Sequence, residues 1–264
     1  DNSVKILRLS RMWLMTSLSS VTKKELKGGL IERDEVVDQK GLVTELRALF
    51  SQLRLKDSEC SFILHDERSY TLRLTIPQTK DDLTVSELIK KQISPLVPEP
   101  FGNLTLAFKT LETGREGEVQ IVVVNRKILA KYLTVFRELG LRPRLAVPES
   151  YALHSLLSPT IGRGETVIYL DPETEAANAI ILDRLGVVET FTERDLEKIK
   201  RFASEKWGRK IERILGPKSL GDLSKTYPLS MRAKLSPSQI GEFASLLGLA
   251  LLTRQKEPLN FLPA

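Results

Sequence analysis

Apolar and polar residues alternate along "SVKILRLS" (3–10), a pattern that predicts a strand, with "MWLMTSLSS" (12–20) as its hairpin partner. "KGGLIER" (27–33) carries a turn signal and a short apolar run. The period then lengthens. In "GLVTELRALFSQL" (41–53), Leu42, Leu46, Leu49 and Leu53 fall on one helical face. "CSFILHD" (60–66) reads as a buried strand, and "SYTLRLTIP" (69–77) returns to alternation with Tyr70, Leu72, Leu74 and Ile76 on one side.

Residues 78–140 read as an αββα unit. Thr84 and Glu87 have capping-box spacing for a helix through Ile93. "PLVPEPFG" breaks the chain, "LTLAFKTL" and "VQIVVV" are strands, and "RKILAKYLTVFREL" (126–139) is a strongly periodic helix with Gly140 at its C-terminal end. "RPRLAV" follows as a strand and "PESYALHSLL" as a short helix. After the linker "SPTIGRGE" (158–165) come three strands, at 166–171, 177–182 and 187–191. The next helix is expected to have Thr192 as its cap, to bury Leu196, Ile199, Ala203 and Trp207, and to stop at Gly208. "RKIERILGP" (209–217) is a strand candidate, and "SQIGEFASLLGLALL" (238–252) reads as one apolar closing helix.

One order recurs. Residues 3–66 run strand, strand, strand, helix, strand, and residues 166–215 repeat it. Two βββαβ halves imply two like lobes, each a sheet covered by helices. A cleft between such lobes is a common ligand position.

Composition narrows the function classes. The chain has 264 residues, 41% hydrophobic and 28% charged, which suits a globular protein. No run of 18 apolar residues spans a membrane, and "DNSVK" is not a secretory leader. The net charge of +6 is scattered, with Asp and Glu interleaved through "ERDLEKIKRFASEKWGRKIER" (193–213), so no nucleic-acid footprint is expected. A lone cysteine, Cys60, excludes an internal disulfide and suits a reducing cytoplasm. Cys60 and His65, five apart in a predicted strand, point to opposite faces and make no dyad. With His154 as the only other histidine, no zinc site is expected, while carboxylate sites for magnesium stay open.

Four phrases stand in order: "DNSVKIL" (1–7), "GGLIERDEVVDQKGLVTELRALF" (28–50), "VQIVVVNRKILAKYLTVFRELGLRPRLAVPESYALHSLL" (119–157) and "GLALL" (248–252). Their order resembles the PilM-like actin-fold proteins of the inner-membrane platforms of type IV pili and type II secretion systems. The resemblance implies an α/β, actin-like (ribonuclease H-like) two-lobe fold. Residues 1–77 and 141–160 would form the first lobe and 78–140 an inserted small α+β subdomain. Residues 165–252 would form a second lobe without most of its outer subdomain, and 253–264 a tail. The tail, "EPLNFLPA" (257–264), resembles the Leu-Asn-Leu-Leu-Pro signature of PilN, the membrane-anchored partner of that family. Leu259, Asn260, Phe261, Leu262 and Pro263 are therefore the candidate partner-binding residues. By the same resemblance they would dock into a peptide groove, in cis or on a neighbouring copy. Both signatures in one chain imply a PilM–PilN fusion or a GspL-like arrangement, peripheral to or anchored at the inner membrane and continuing into a transmembrane helix. Inner-membrane platform proteins are the expected partners, with a cytoplasmic assembly ATPase as a further candidate.

The resemblance also points to three phosphate loops, and each departs from the pattern. Asp1, Ser3 and Lys5 remain from the first, without its glycine. In the second, "LDPETEAAN" keeps Asp171 and Thr174 but has Glu173 where glycine is usual. Glycine lets backbone N–H groups approach an anion. A glutamate adds a like charge, repelling by roughly 4 kcal/mol at about 4 Å and an effective dielectric near 20. That amounts to about three orders of magnitude in affinity. In the third, Gly216 survives but Pro217 removes an N–H. Lys5, Asp171, Thr174 and Gly216 are thus the residues of a degenerate nucleotide site, and a plain hairpin is the better reading of 167–182. The expected function is a non-catalytic scaffold with no cofactor. The alternatives are an active ATP- and magnesium-dependent enzyme using Lys5, Asp171 and Glu149, or an FtsA-like cell-division protein. Pro258 and Pro263 speak against the amphipathic terminal helix of the last.

Overall fold

The computed structural model describes residues 3–12, 15–32, 35–55, 58–77, 82–111, 117–170, 179–191, 195–211, 213–220, 230–231 and 235–262. In chain order the strands are β1 (Ser3–Met12), β2 (Met15–Glu25), β3 (Ile31–Glu32), β4 (Glu35–Val36), β5 (Glu59–Leu64), β6 (Ser69–Thr75), β7 (Leu104–Thr110), β8 (Glu118–Asn125), β9 (Arg142–Pro148), β10 (Thr166–Leu170), β11 (Ala179–Asp183), β12 (Val187–Phe191), β13 (Arg213–Leu215) and β14 (Ser230–Met231). The helices are α1 (Gln39–Gln52), α2 (Asp82–Ile93), α3 (Arg126–Glu138), α4 (Glu149–Leu157), α5 (Leu196–Trp207), α6 (Pro237–Glu242) and α7 (Ala244–Leu252). The chain packs as two compact units. One contains Ser3–Lys24 and Ser150–Gln255, the other Glu25–Glu149 and Lys256–Ala264. Among the described residues no helix is long and apolar enough to cross a membrane.

The first unit is built on a sheet in the order β12-β11-β10-β13, antiparallel except for the parallel β10–β13 pair. Its strands are nearly continuous apolar runs because both faces are covered. Val167, Tyr169, Ile180 and Leu182 pack with Leu153, Leu156 and Leu157 of α4 and with Ile240, Ala244 and Leu247 of α6 and α7. Ile168, Ala179, Ile181 and Val188 face Ile199 and Ala203 of α5, with Leu196 and Trp207 alongside, as the helical spacing predicts. Gly208 ends α5 in the left-handed region, φ 59°, where its N–H reaches back to Ser204. The α5 cap is Asp195, whose carboxylate accepts from the N–H groups of Glu197 and Lys198. The helix therefore starts at Leu196 rather than from Thr192, which lies outside the described residues. The single closing helix expected over 238–252 is two helices, divided at Phe243 (φ −106°, ψ 15°). The first of them has its own capping box, between Ser236 and Gln239. Gly248 of α7 meets α4 so closely that a Cβ there would lie 1.8 Å from the Ala152 carbonyl oxygen.

In the second unit, β6, β8 and β7 form an antiparallel sheet with β8 in the middle. The residues predicted to share one side of β6, Tyr70, Leu72, Leu74 and Ile76, pack with Ile89 and Ile93 of α2. The opposite face is buried too, at Ser69, Thr71, Arg73, Gln120, Val122 and Val124. Because α2 begins at Asp82, Thr84 lies inside its first turn and is not the cap. α3 begins at an Asn125 cap and is closed by Leu139, with Gly140 at φ 72° just after it. Phe136 and Tyr132 of α3 place their rings 4.7 and 6.2 Å from that of Phe62 on β5. Lys131 of α3 donates to the Glu35 carboxylate at 2.6 Å and holds it below the usual range.

The repeated strand order does not give two equal sheets. In the first half, β1 and β2 join β14, β3 pairs with β4, and β5 pairs in parallel with β9. The third strand of that half is spent on a two-residue ladder, Ile31 with Val36 and Glu32 with Glu35, so it extends no larger sheet.

Candidate functional site

Strand β9 has two edges. One pairs with β5: Glu59 lies opposite Arg142, Cys60 opposite Pro143, Ser61 opposite Leu145 and Phe62 opposite Ala146. Arg144 has no opposite number, so β9 carries one extra residue there. The other edge is taken by the tail of the chain. The Phe261 N–H donates to the Ala146 carbonyl at 3.0 Å. The Asn260 side chain does the rest. Its Nδ2 donates to the Arg144 carbonyl at 3.0 Å, and its Oδ1 accepts the Ala146 N–H at 2.9 Å. The same Oδ1 accepts the Leu262 N–H at 3.1 Å, which fixes the tail's own bend. One carboxamide thus satisfies a donor and an acceptor that an edge strand otherwise leaves open.

The flanking residues supply the apolar part. Leu259 is 5% exposed and Phe261 2%. Asn260 and Leu262 are half-buried, and Pro263 lies outside the described residues. Four of the five residues expected to bind a partner are therefore described, and these four are brought together at one place. The edge groups they meet, the Arg144 carbonyl and both backbone groups of Ala146, are absent from the expected set, because main-chain atoms carry no sequence signal. Beside this edge, the Arg144 guanidinium contacts Glu59 Oε1 at 2.7 and 3.0 Å and holds that carboxyl below its usual range.

The nucleotide candidates are placed differently. Lys5 lies half-buried on β1. Gly216 follows β13 and sits against the end of β10, where a Cβ would be 3.0 Å from the Leu170 carbonyl oxygen. Asp171 and Thr174 lie outside the described residues. The Gly216 N–H already donates to Ser219 Oγ at 2.8 Å, and that hydroxyl donates back to the Gly216 carbonyl at 2.7 Å. Pro217 is packed on α6, where a Cβ at Gly241 would be 2.8 Å from both the Pro217 Cβ and its carbonyl oxygen. Glu149, named for water positioning, opens α4 and has His65 as a partner, Oε2 to Nδ1 at 2.9 Å. β5 ends at Leu64, so His65 is beyond the strand rather than on its far face from Cys60. Among the described residues no cluster of His, Cys, Asp and Glu is fit to hold a metal.

The whole chain can be set beside solved structures. The protein in the structure of the PilM–PilN type IV pilus biogenesis complex superposes with a TM-score of 0.67 over 95% of both chains, at 16% identity. The fold is actin-like. The cytoplasmic domain of EpsL, an inner-membrane component of the type II secretion system of Vibrio cholerae, matches with a TM-score of 0.51 at 13% identity, covering 99% of this chain and 93% of that one. No protein-family model matches the sequence, and no curated protein does. At these identities the actin-like likeness is one of fold.

Proposed function

We propose that this actin-like chain is a non-catalytic cytoplasmic scaffold of a type IV pilus or type II secretion assembly platform, peripheral to or anchored at the inner membrane. Its β9 edge is the docking site for an extended segment of a platform protein. The observation that carries the reading is the Asn260 carboxamide, which spans the Arg144 carbonyl and the Ala146 N–H while Phe261 is buried beside it. That is recognition by strand addition, in which main-chain bonds give affinity and side-chain burial gives specificity. The naming of the two solved structures, one a pilus complex and one a secretion component, supports the choice of machinery.

The same reading leaves the nucleotide chemistry unused. A phosphate at the third loop needs open N–H groups, but Gly216 spends its own on Ser219, and Pro217 has none. Gly216 and Pro217 therefore offer a triphosphate no open N–H, which supports the scaffold reading.

Two measurements test the proposal. Titration calorimetry with ATP and magnesium should give no heat of binding at micromolar concentrations, and a micromolar dissociation constant would replace the scaffold with an ATPase. Purified inner-membrane platform proteins should bind the intact chain, and a β9-edge variant of the chain should lose them. Binding that ignores such a variant would move the docking site elsewhere.

A further inference from the structure

The docking edge is already filled by the chain itself. Three polar groups that an arriving strand would use on β9, the Arg144 carbonyl and the N–H and carbonyl of Ala146, are bonded to Asn260 or Phe261. The apolar position beside it holds Phe261, among the most deeply buried side chains of the protein. We infer that the tail is a built-in competitor for this edge, so a partner segment binds only by displacing residues 259–262. The inference rests on the proposed reading of β9 as a docking edge.

Three features suit the tail to reversible occupancy. First, its attachment is local. Asn260 and Phe261 bond to the neighbouring residues Arg144 and Ala146, and the segment before them, Thr253–Glu257, is exposed. Second, the tail is tethered. The tail and the β9 edge lie on one chain and in one compact unit, so the tail faces its site at an effective concentration on the order of millimolar. Third, the bonds are generic to one class of ligand: an extended segment with an asparagine between an apolar residue and a large apolar or aromatic one. A free segment of that kind makes the same bonds, and the tether alone favours the resident one. Competition at about millimolar weakens a ligand of micromolar intrinsic affinity by roughly a hundredfold to a thousandfold.

The experiment uses the intact chain and a fluorescent synthetic peptide with the sequence of residues 257–264. Peptide binding is read by anisotropy for the unaltered chain, for Asn260→Ala and for Phe261→Ala. Far-UV dichroism records that each variant is folded, and either variant suffices. The expected result is binding at least tenfold tighter to the variants than to the unaltered chain, and no binding of a peptide whose asparagine is replaced by alanine. Equal, measurable affinity for all three chains overturns the competitor and leaves the docking edge standing. No binding to any of them overturns the docking edge and the competitor with it.

Discussion

Arg209 reaches Asp183 with 2.7 Å between Nη1 and Oδ2, and the Asp183 residue is only 5% exposed. The other carboxylate oxygen accepts the N–H groups of Leu185 and Gly186 at 2.8 and 3.0 Å, and so shapes the turn between β11 and β12. His154 of α4 places Nε2 3.1 Å from the Asp183 carbonyl oxygen, which only accepts, so that nitrogen carries the proton. The segment that follows α5, the sheet and α4 are tied at this one aspartate. Arg209→Ala removes the guanidinium from a buried carboxylate and is expected to cost about 2–4 kcal/mol. Urea unfolding should show a lower midpoint with an unchanged slope. A cost below about 0.5 kcal/mol would mean that water replaces the guanidinium.

Gly248→Ala puts a methyl group 1.8 Å from the Ala152 carbonyl oxygen, a backbone atom that cannot swing aside. The helices α4 and α7 must separate. The expected outcome is a loss of about 3 kcal/mol or more, seen as a large fall in soluble yield and melting temperature. A variant that melts with the parent would show that the two helices slide freely.

Phe261→Ala removes a ring that is 2% exposed and should weaken tail docking by about 3 kcal/mol. The rest of the chain keeps its own core, so the effect is local. Hydrogen exchange should find the Phe261 amide fast in the variant and slow in the parent, with β10 and β11 unchanged.

Burial pushes the Cys60 thiol from about 9 to about 11. The reactive species is the thiolate, so at neutral pH the folded chain should react with a disulfide reagent about a hundredfold more slowly than the chain in guanidinium. The sign of the linked stability follows. The folded state binds this proton more tightly, so the contribution is complete below the unfolded value near 9 and is lost as pH rises toward about 11. A Cys60→Ser chain should lack that alkaline decline.

Asp195→Ala deletes the acceptor for two N–H groups at the start of α5, at 3.0 and 3.2 Å. The expected cost is about 1 kcal/mol, and Asp195→Asn should recover most of it. A matched alanine change at Glu197, whose side chain is exposed, should cost little by comparison.

Much of the first unit could be read from the sequence because its signals are local. The apolar runs at 166–170 and 179–183 and the Leu196, Ile199, Ala203, Trp207 stripe each lie within one element. Caps were harder. Several polar residues crowd the start of α5, and which of them ends at the right place depends on backbone angles rather than residue type. The break at Phe243 was hidden because apolar spacing continues across it. The pairing of β5 with β9 was hidden for another reason. Opposed residues such as Phe62 and Ala146 lie far apart in sequence, and alternation says which face is buried but not which strand lies alongside. At the candidate site, the tail motif was legible through its resemblance to a known signature. The receiving half was not, since it consists of main-chain atoms of Arg144 and Ala146.

The unmatched Arg144 also sets a parity. Arg142 donates its N–H toward β5, to the Ser58 carbonyl, and alternation from there would turn Ala146 the same way. The extra residue reverses the count, so Ala146 offers its amide outward instead. A chain shortened by one residue between Arg142 and Leu145 would close that face to any incoming strand and rotate Leu145, Ala146 and Val147 out of the positions they now fill.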